Sequence, residues 1–253
     1  MRDFTLEKYR ELVRAVLDAG YVPLTVRGYL AGQHREQPCA IFRHDVDRRP
    51  ASALRMAKLE AELGVAATYY FRYPRTFNPI RIDQVRDLGH EIGYHYEVLA
   101  KTKGNYEKAI ALLSKELDLF RELYDVRTIC MHGSPLSRYN NCDLWKKNDF
   151  RNFGIEGEAY VSMAGNGLRY LTDTGRAWNA KYSVRDMMPD VEVIPVETTD
   201  DLVTWIGSSG GEDLYLTVHP ERWAVNEGDW VIAYMKDLIA NAGKVLLILG
   251  RVT

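Results

Sequence analysis

Two aspartates follow a short apolar run near residue 41, where charged side chains could take part in chemistry. Ile41 and Phe42 are typical of a buried strand, and Asp45 and Asp47 follow where an α/β sheet opens to solvent. In an extended segment the two carboxylates project to the same side. One can then serve as a base and the other as a metal ligand.

An ordinary explanation for this cluster also exists, because arginines surround it. Arg43, Arg48 and Arg49 would pair with the two aspartates on a solvated loop, and such surface ion pairs are common without any function. The aspartates alone therefore do not distinguish a surface network from an active site.

Four histidines occupy equivalent places in the pattern, each at or just beyond the end of a predicted strand: His44, His95, His132 and His219. In a parallel α/β fold these strand ends lie on one face. The same rim would carry the carboxylates Asp45, Asp47, Glu97 and Asp173. A single histidine is more often an ordinary hydrogen-bonded side chain, but four in one structural slot favour a site. This mixed ligand set suits zinc or a related divalent ion with one position open for water.

The elements that would position these residues alternate between strand and helix, as expected of a parallel α/β fold. Apolar spacing predicts helices at residues 6–19, 50–63, 82–88, 105–123, 200–206 and 230–242, the last ending at Gly243. Apolar runs predict strands at 21–26, 41–42, 66–71, 92–94, 128–131, 158–163, 168–172, 191–195 and 214–218. Residues 139–152 are expected to form a long loop with a short helix over the site.

Composition limits the class of protein. The chain has 253 residues and a formal net charge of −2, which suits one domain with a full-sized core. It has no basic block, so we expect no nucleic-acid partner, and no apolar segment indicates membrane insertion. The first residues lack the apolar core of a signal peptide, which predicts a cytoplasmic protein. Three cysteines without metal spacing predict free thiols, and nothing indicates the oligomeric state.

Five segments resemble the motifs of the polysaccharide deacetylases of the NodB-homology type, carbohydrate esterase family 4. They are residues 45–47 (DVD), 89–95 (GHEIGYH), 132–135 (HGSP), 173–178 (DTGRAW) and 216–219 (LTVH). The resemblance runs from about residue 40 to 223. It implies an irregular (β/α) barrel of about seven parallel strands in a single domain of residues 1–253. Within it, 1–38 would be an N-terminal helix and strand lead-in, 39–223 the motif-bearing core, and 224–253 a C-terminal helix and strand.

The resemblance also implies roles for individual residues. Asp45 would be the catalytic base, His219 the general acid, and Asp47 and His95 metal ligands. In the family a Ser or Thr follows the metal-binding histidine and a second histidine comes four residues after it, whereas this chain has Tyr96 and Leu99 there. The third ligand is then Glu97 or His132. Substrate contacts are expected from a further set: His44, Tyr94, Ser134, Arg176, Trp178 and Trp223.

The function implied is a metal-dependent hydrolase that removes an acetyl or other acyl group from an N-acylated sugar, with zinc first among the candidate ions. Arg176 would orient the catalytic carboxylate of Asp45, and a backbone N–H near Gly133 or Ser134 would hold the oxyanion. The substrate would be a small molecule or an oligosaccharide, and a cytoplasmic location favours a soluble, nucleotide-linked or lipid-linked intermediate of surface polysaccharide synthesis. Two alternatives remain: a carbohydrate-binding protein that lost its chemistry, and another metal-dependent amide or ester hydrolase.

Overall fold

A computed structural model describes residues 2–33, 37–185, 188, 194–208 and 211–252, with side chains described as far as residue 245. Its helices are α1 Leu6–Asp18, α2 Val26–Leu30, α3 Pro50–Glu62, α4 Pro79–Arg86, α5 Val98–Lys101, α6 Tyr106–Arg121, α7 Thr199–Ser208 and α8 Glu227–Val252. Its strands are β1 Val22–Leu24, β2 Cys39–Val46, β3 Thr68–Phe71, β4 Glu91–Tyr96, β5 Thr128–Met131, β6 Gly157–Glu158, β7 Arg169–Thr172 and β8 Leu214–Val218. Short 3₁₀ helices span Asn141–Lys146, Phe150–Phe153 and Pro220–Arg222.

The sheet is parallel throughout and runs in the order β6-β5-β4-β3-β2-β8-β7, with β1 paired to the start of β2. The sheet curls, so that side chains near its two edges come into contact. The Tyr215 hydroxyl donates to the Ala159 carbonyl at 2.8 Å, and the rings of Tyr160 and Tyr170 lie 6.4 Å apart. The predicted α/β barrel with about seven parallel strands is therefore confirmed as a curled half-barrel with seven strands along its main path and β1 beside β2.

Helix starts follow local capping rules. Asn105 lies before α6 and its side chain accepts from the Lys108 N–H, while Asn78 does the same before α4, which also begins at Pro79. Such caps satisfy N–H groups that have no partner within the helix. They explain why α4 begins three residues before the predicted position.

Side chains along β2 alternate between the two faces of the sheet. Arg43 and Asp45 lie inside the curl, where the Arg43 guanidinium carbon is 4.2 Å from the ring centroid of Tyr160. His44 lies on the other face, against α3. Gly93 permits a close approach inside the curl, because a Cβ there would lie 2.3 Å from the Tyr70 ring.

Three sequence predictions about secondary structure are wrong. The strand expected at 158–163 is only Gly157–Glu158, because the Glu158 carboxylate accepts the backbone N–H groups of Tyr160 and Val161 and turns the chain. The last helix does not end at Gly243 but runs to Val252, since the apolar pattern continues through that glycine and nothing crowds it. The C-terminal strand expected within 224–253 is accordingly absent from the described residues.

Other predicted elements agree with the structure within a few residues, among them α1, α3, α6, α7, β7 and β8. The strand predicted at 191–195 lies mostly outside the described residues. In the part of the chain that the structure describes, no helix combines the length and the apolar character needed to span a membrane. The division into one domain at 1–253 stays a prediction.

Candidate functional site

The carboxyl ends of β2, β4, β5 and β8 meet at a cleft of about 680 Å³. Its walls include side chains predicted from four separate motifs: Asp45, Asp47, His95, His132, Ser134 and His219. The convergence follows from the parallel sheet, because every strand that carries a motif ends on the same side.

Asp45 is held by a buried arginine on its own strand. Arg43 donates from Nε to Asp45 Oδ1 at 2.9 Å and from a terminal nitrogen to Oδ2 at 2.6 Å. Burial raises the pKa of Asp45, but the positive charge of Arg43 and these hydrogen bonds lower it by more, to about 2. The carboxylate is therefore ionised and fixed in orientation at neutral pH.

Asp47 faces two imidazoles. Its Oδ1 lies 3.4 Å from His95 Nε2 and 3.4 Å from His132 Nε2, yet this buried oxygen has no hydrogen-bond partner among the described residues. Metal bonds of about 2.0–2.1 Å at a tetrahedral angle separate ligand atoms by roughly 3.3–3.4 Å. The two distances from Asp47 and its unpartnered oxygen fit a cation at this carboxylate. The ligand atoms of Asp47, His95 and His132 do not all lie within 4.8 Å of one another, so the two imidazoles would have to move closer together to bind a metal with it.

The ring orientation of His95 supports the same assignment. His95 Nδ1 lies 3.0 Å from the Cys130 carbonyl oxygen, which can only accept a hydrogen bond. Nδ1 therefore carries a proton, and Nε2 is the ring nitrogen that faces Asp47. A backbone carbonyl behind a histidine is a common arrangement around metal ligands, because it fixes both the tautomer and the ring.

Glu97 is already engaged by cations and by His132. Arg72 donates to Glu97 Oε2 at 2.6 Å, Lys101 Nζ lies 3.7 Å from Oε1, and His132 Nδ1 lies 3.3 Å from Oε2. Burial raises the pKa of Glu97, but the hydrogen bond from His132 and the charge of Arg72 lower it to about 2. Because Arg72 and Lys101 already engage Glu97, this geometry favours His132 as the third ligand. Nδ1 of its ring lies beside Glu97 and within hydrogen-bond distance of Ser134, whose Oγ is 2.9 Å away and whose backbone N–H donates to Nδ1 at 3.3 Å.

A second group of possible ligand atoms lies deeper, where atoms of Asp45, His95 and Cys130 come within 4.8 Å of one another. Its chemistry suits a metal less well. Burial raises the pKa of the Cys130 thiol well above its usual range, so the sulfur keeps its proton, and both Asp45 oxygens already accept from Arg43. A metal at this position would have to displace the arginine.

Asp173 holds His219 on the other side of the cleft. Asp173 Oδ1 lies 2.6 Å from His219 Nδ1 and accepts from Arg222 at 2.9 Å, while Oδ2 accepts from the His219 N–H and from Trp223 Nε1, both at 2.9 Å. Burial and the charge of Arg222 lower the pKa of His219, but Asp173 raises it by more, so the net shift is upward. This imidazole is therefore biased toward the protonated form, which can donate a proton.

Five of the predicted substrate contacts are not brought to the cleft. His44 Nε2 lies 2.7 Å from Glu60 on the opposite face of the sheet, and the Tyr94 hydroxyl donates to Glu116 of α6. The Trp178 indole N–H donates to Thr199. The ring of Trp223 packs against that of Trp178, and Trp223 is 2% exposed. Arg176 lies 3.7 Å from Asp237 rather than beside Asp45.

Sequence reasoning missed the arginine that orients Asp45. Arg43 precedes Asp45 by two positions, so strand alternation already places both side chains on one face. The local sequence instead suggests that Arg43 is one of the arginines of a solvated loop. In the structure β2 extends to Val46, and Arg43 is fully buried within it.

Solved structures similar to this chain include two carbohydrate esterases, while no family model and no curated protein matches the chain. The first is a CE4 esterase from Streptococcus mutans, with 12% identity over 89% of each chain and a TM-score of 0.48. The second is a family 4 carbohydrate esterase from Bacillus anthracis, with 12% identity over 91% of this chain and 85% of that one and a TM-score of 0.41. At these values the similarity concerns the general course of the chain and assigns no residue a role.

Proposed function

We propose that the cleft is the active site of a metal-dependent hydrolase that removes an acyl group, in the first place acetyl, from the nitrogen of a sugar. The observation that carries the proposal is the convergence of three different units on one cleft. These are an ionised carboxylate, a buried carboxylate with two imidazoles, and a carboxylate-bound histidine. Together they match the base, the metal site and the acid of amide hydrolysis.

Asp47, His95 and His132 would hold the ion, with zinc first among the candidates, because carboxylate and imidazole ligands with an open position are typical of hydrolytic zinc. When bound, this ion would polarise the acyl carbonyl and lower the pKa of a coordinated water. Glu97 and Ser134, which both lie beside Nδ1 of His132, would fix the orientation of its ring.

Protein groups would carry the proton transfers. Asp45 would take a proton from the attacking water, and Arg43 keeps this carboxylate ionised and aimed. His219, charged through its contact with Asp173, would protonate the departing amine. A backbone N–H near Gly133 or Ser134 would donate to the oxyanion of the tetrahedral intermediate.

The choice of an N-acylated sugar rests on the resemblance of the five motifs. The aromatic residues expected to stack on the sugar are buried away from the cleft, so the substrate contacts would come from its walls, Ser134 among them. A soluble or carrier-linked sugar of surface polysaccharide metabolism in the cytoplasm remains the substrate and compartment that we propose.

The first test is metal content per chain after reloading with zinc, measured by elemental analysis. We expect about one ion in the wild type, and its loss in Asp47→Ala and in His132→Ala. Glu97→Gln is the matched control, since an amide oxygen still accepts from His132 and the ion should be retained at reduced affinity. Loss of zinc in Glu97→Gln with retention in His132→Ala would reverse the assignment of the third ligand.

The second test is turnover of N-acetylated sugars by the zinc-loaded protein. Asp45→Asn should lower kcat by about 10²–10⁴ without loss of the ion. Full activity in both Asp45→Asn and Asp47→Ala would refute the mechanism. Saturable binding of sugars without turnover would instead identify a carbohydrate-binding protein, and turnover of non-sugar amides or esters alone would identify another metal-dependent hydrolase.

A further inference from the structure

Basic side chains dominate the walls of the cleft. Six of them line it, against three carboxylates from Asp45, Asp47 and Asp237: Arg48, Arg72, Arg75, Arg222, Lys236 and Lys244. The whole chain carries a net charge of −2, so this local excess of positive charge is opposite in sign to the protein as a whole. A cleft lined by one sign of charge concentrates ligands of the other sign.

Two of these cations have structural partners. Arg72 donates to Glu97 at 2.6 Å, and Arg222 donates to Asp173 at 2.9 Å. Both carboxylates belong to the groups that position the catalytic histidines. These two arginines are therefore engaged, and their charge is largely compensated.

Three others have no carboxylate within hydrogen-bond distance in the described part of the chain, although Arg48 forms a long ion pair with Glu221. Arg75 and Lys236 have no carboxylate within 4.0 Å in the described part of the chain, and the nearest carboxylate oxygen to Arg48, on Glu221, is 4.0 Å from its Nε. The three come from separate places, since Arg48 follows β2, Arg75 follows β3 and Lys236 lies on α8. Arg48 and Lys236 also line a smaller adjacent cavity of about 30 Å³. These three exposed cations can therefore attract an anion into the cleft without first giving up a hydrogen-bonded carboxylate.

We propose that the substrate carries a phosphate ester next to its acylated sugar, and that Arg48, Arg75 and Lys236 bind this phosphate. The inference rests on the proposed function and specifies its substrate class. Cations that approach from three elements suit a tetrahedral group with several charged oxygens better than a planar carboxylate. The phosphate can belong to a nucleotide, to a lipid carrier or to a simple sugar phosphate. The same walls carry the exposed apolar side chains of Leu136 and Ile239, beside which the rest of any of these molecules would lie.

The test compares two substrates that differ only in the phosphate: N-acetylglucosamine 1-phosphate and N-acetylglucosamine. The zinc-loaded wild type should prefer the phosphorylated sugar in kcat/KM by at least about tenfold. Arg75→Gln and Lys236→Gln should each lower this preference by about threefold, and the double variant should bring it close to unity. Lys115→Gln, which removes an exposed cation of α6 that does not line the cleft, should keep this preference. A wild-type preference near unity, or a preference that survives in the double variant, would overturn the proposal.

A binding measurement separates this inference from the proposed function. Should neither sugar be hydrolysed, the proposed function fails, and calorimetric titration with inorganic pyrophosphate still decides the anion site. Binding in the wild type and in Lys115→Gln, with at least about a tenfold loss in the double variant, would support the site. No binding, or equal binding in all three, would refute it, since equal binding would mean an adventitious ion only.

Nucleotide-linked and short-chain polyprenyl-phosphate-linked N-acetylglucosamine then identify the source of the phosphate. A clear preference for either carrier over the neutral sugar supports the proposal and names the carrier. Discrimination against both carriers, relative to the neutral sugar, would contradict it.

Discussion

Replacement of Asp173 by asparagine tests the acid side of the proposed mechanism. The Asp173 carboxylate is fully buried and accepts four hydrogen bonds, two of them from His219 and the others from Arg222 and Trp223. Asparagine keeps the size of the side chain but removes the charge and one of the two acceptor oxygens.

The cost to stability follows from this inventory. Each oxygen of Asp173 accepts from two donors, so either orientation of an asparagine amide places its NH₂ group against two N–H donors. An unsatisfied buried donor costs about 1–3 kcal/mol, and the total loss is therefore roughly 2–6 kcal/mol of unfolding free energy. The protein should still fold at low temperature, because single domains are stable by about 5–15 kcal/mol.

The effect on catalysis follows from the pKa of His219. Asp173 raises this pKa in the wild type, so its neutral replacement lowers it, and the imidazole loses its proton at a lower pH. A general acid must be protonated to act, and kcat/KM therefore falls as the pH rises through this pKa. In Asp173→Asn the alkaline limb of the pH–rate profile should move to lower pH, and kcat should fall by about 10²–10⁴.

The assay that needs no known substrate is an NMR titration of the histidine ring signals in the wild type and in Asp173→Asn. Asp237→Asn is the matched control, because Asp237 lies 3.6 Å from the same Arg222 but has no described contact with His219. Its titration curve for His219 should resemble that of the wild type. An unchanged His219 pKa in Asp173→Asn, or an equal fall in both variants, would refute the reasoning.

Three further predictions concern stability. Burial raises the pKa of Glu60, but the charge of His44 and its hydrogen bond lower it by more. This carboxylate therefore stabilises the fold above its unfolded pKa of about 4.3 and loses that effect as the pH falls through the lower folded value. The unfolding free energies of Glu60→Gln and the wild type, measured by urea titration, should converge toward pH 3, and a constant difference would contradict this. Arg43→Met should cost about 3–5 kcal/mol in unfolding free energy by leaving Asp45 buried and unpaired, and adding Asp45→Asn should recover part of that loss; no recovery would mean that the arginine acts through packing alone. Gly93→Ala should lower the unfolding free energy by about 1–3 kcal/mol in the same assay, because its Cβ would lie 2.3 Å from a buried tyrosine ring, and a neutral result would show that the ring moves freely.

Alternation along strands explains which site residues the sequence could predict. Asp45 and Asp47 differ by two positions, as do His95 and Glu97, and the structure places each pair near the cleft. The same rule assigns His44 to the opposite face, which is where it lies. Tyr94 precedes His95 by one position and faces α6 for the same reason, so the sequence alone could predict that Tyr94 points away from the cleft.

Other features depend on tertiary packing and could not be predicted from local pattern. In the sequence Trp223 is an aromatic residue beside a motif. In the structure its indole N–H donates to Asp173, and its ring packs near Phe4 of the N-terminal segment. Arg176 likewise contacts Asp237 of α8, an element distant in sequence. The extension of α8 through Gly243 reflects the continuing apolar residues, which outweigh the modest cost of one helical glycine.

Strand register explains how His132 comes to lie beside Glu97 although the sequence has no histidine at position 99. Leu99 lies within the short helix α5 and is 1% exposed, so that position faces the core. The next strand in the sheet is β5, and it pairs in parallel with β4, with Tyr96 opposite Met131 and the His132 N–H bonded to the Tyr96 carbonyl at 2.8 Å. The residue after each strand therefore lies on the same rim, and the imidazole of His132, which directly follows β5, lies beside Glu97. A rim built from parallel strand ends fixes where ligands meet without fixing which strand supplies each of them.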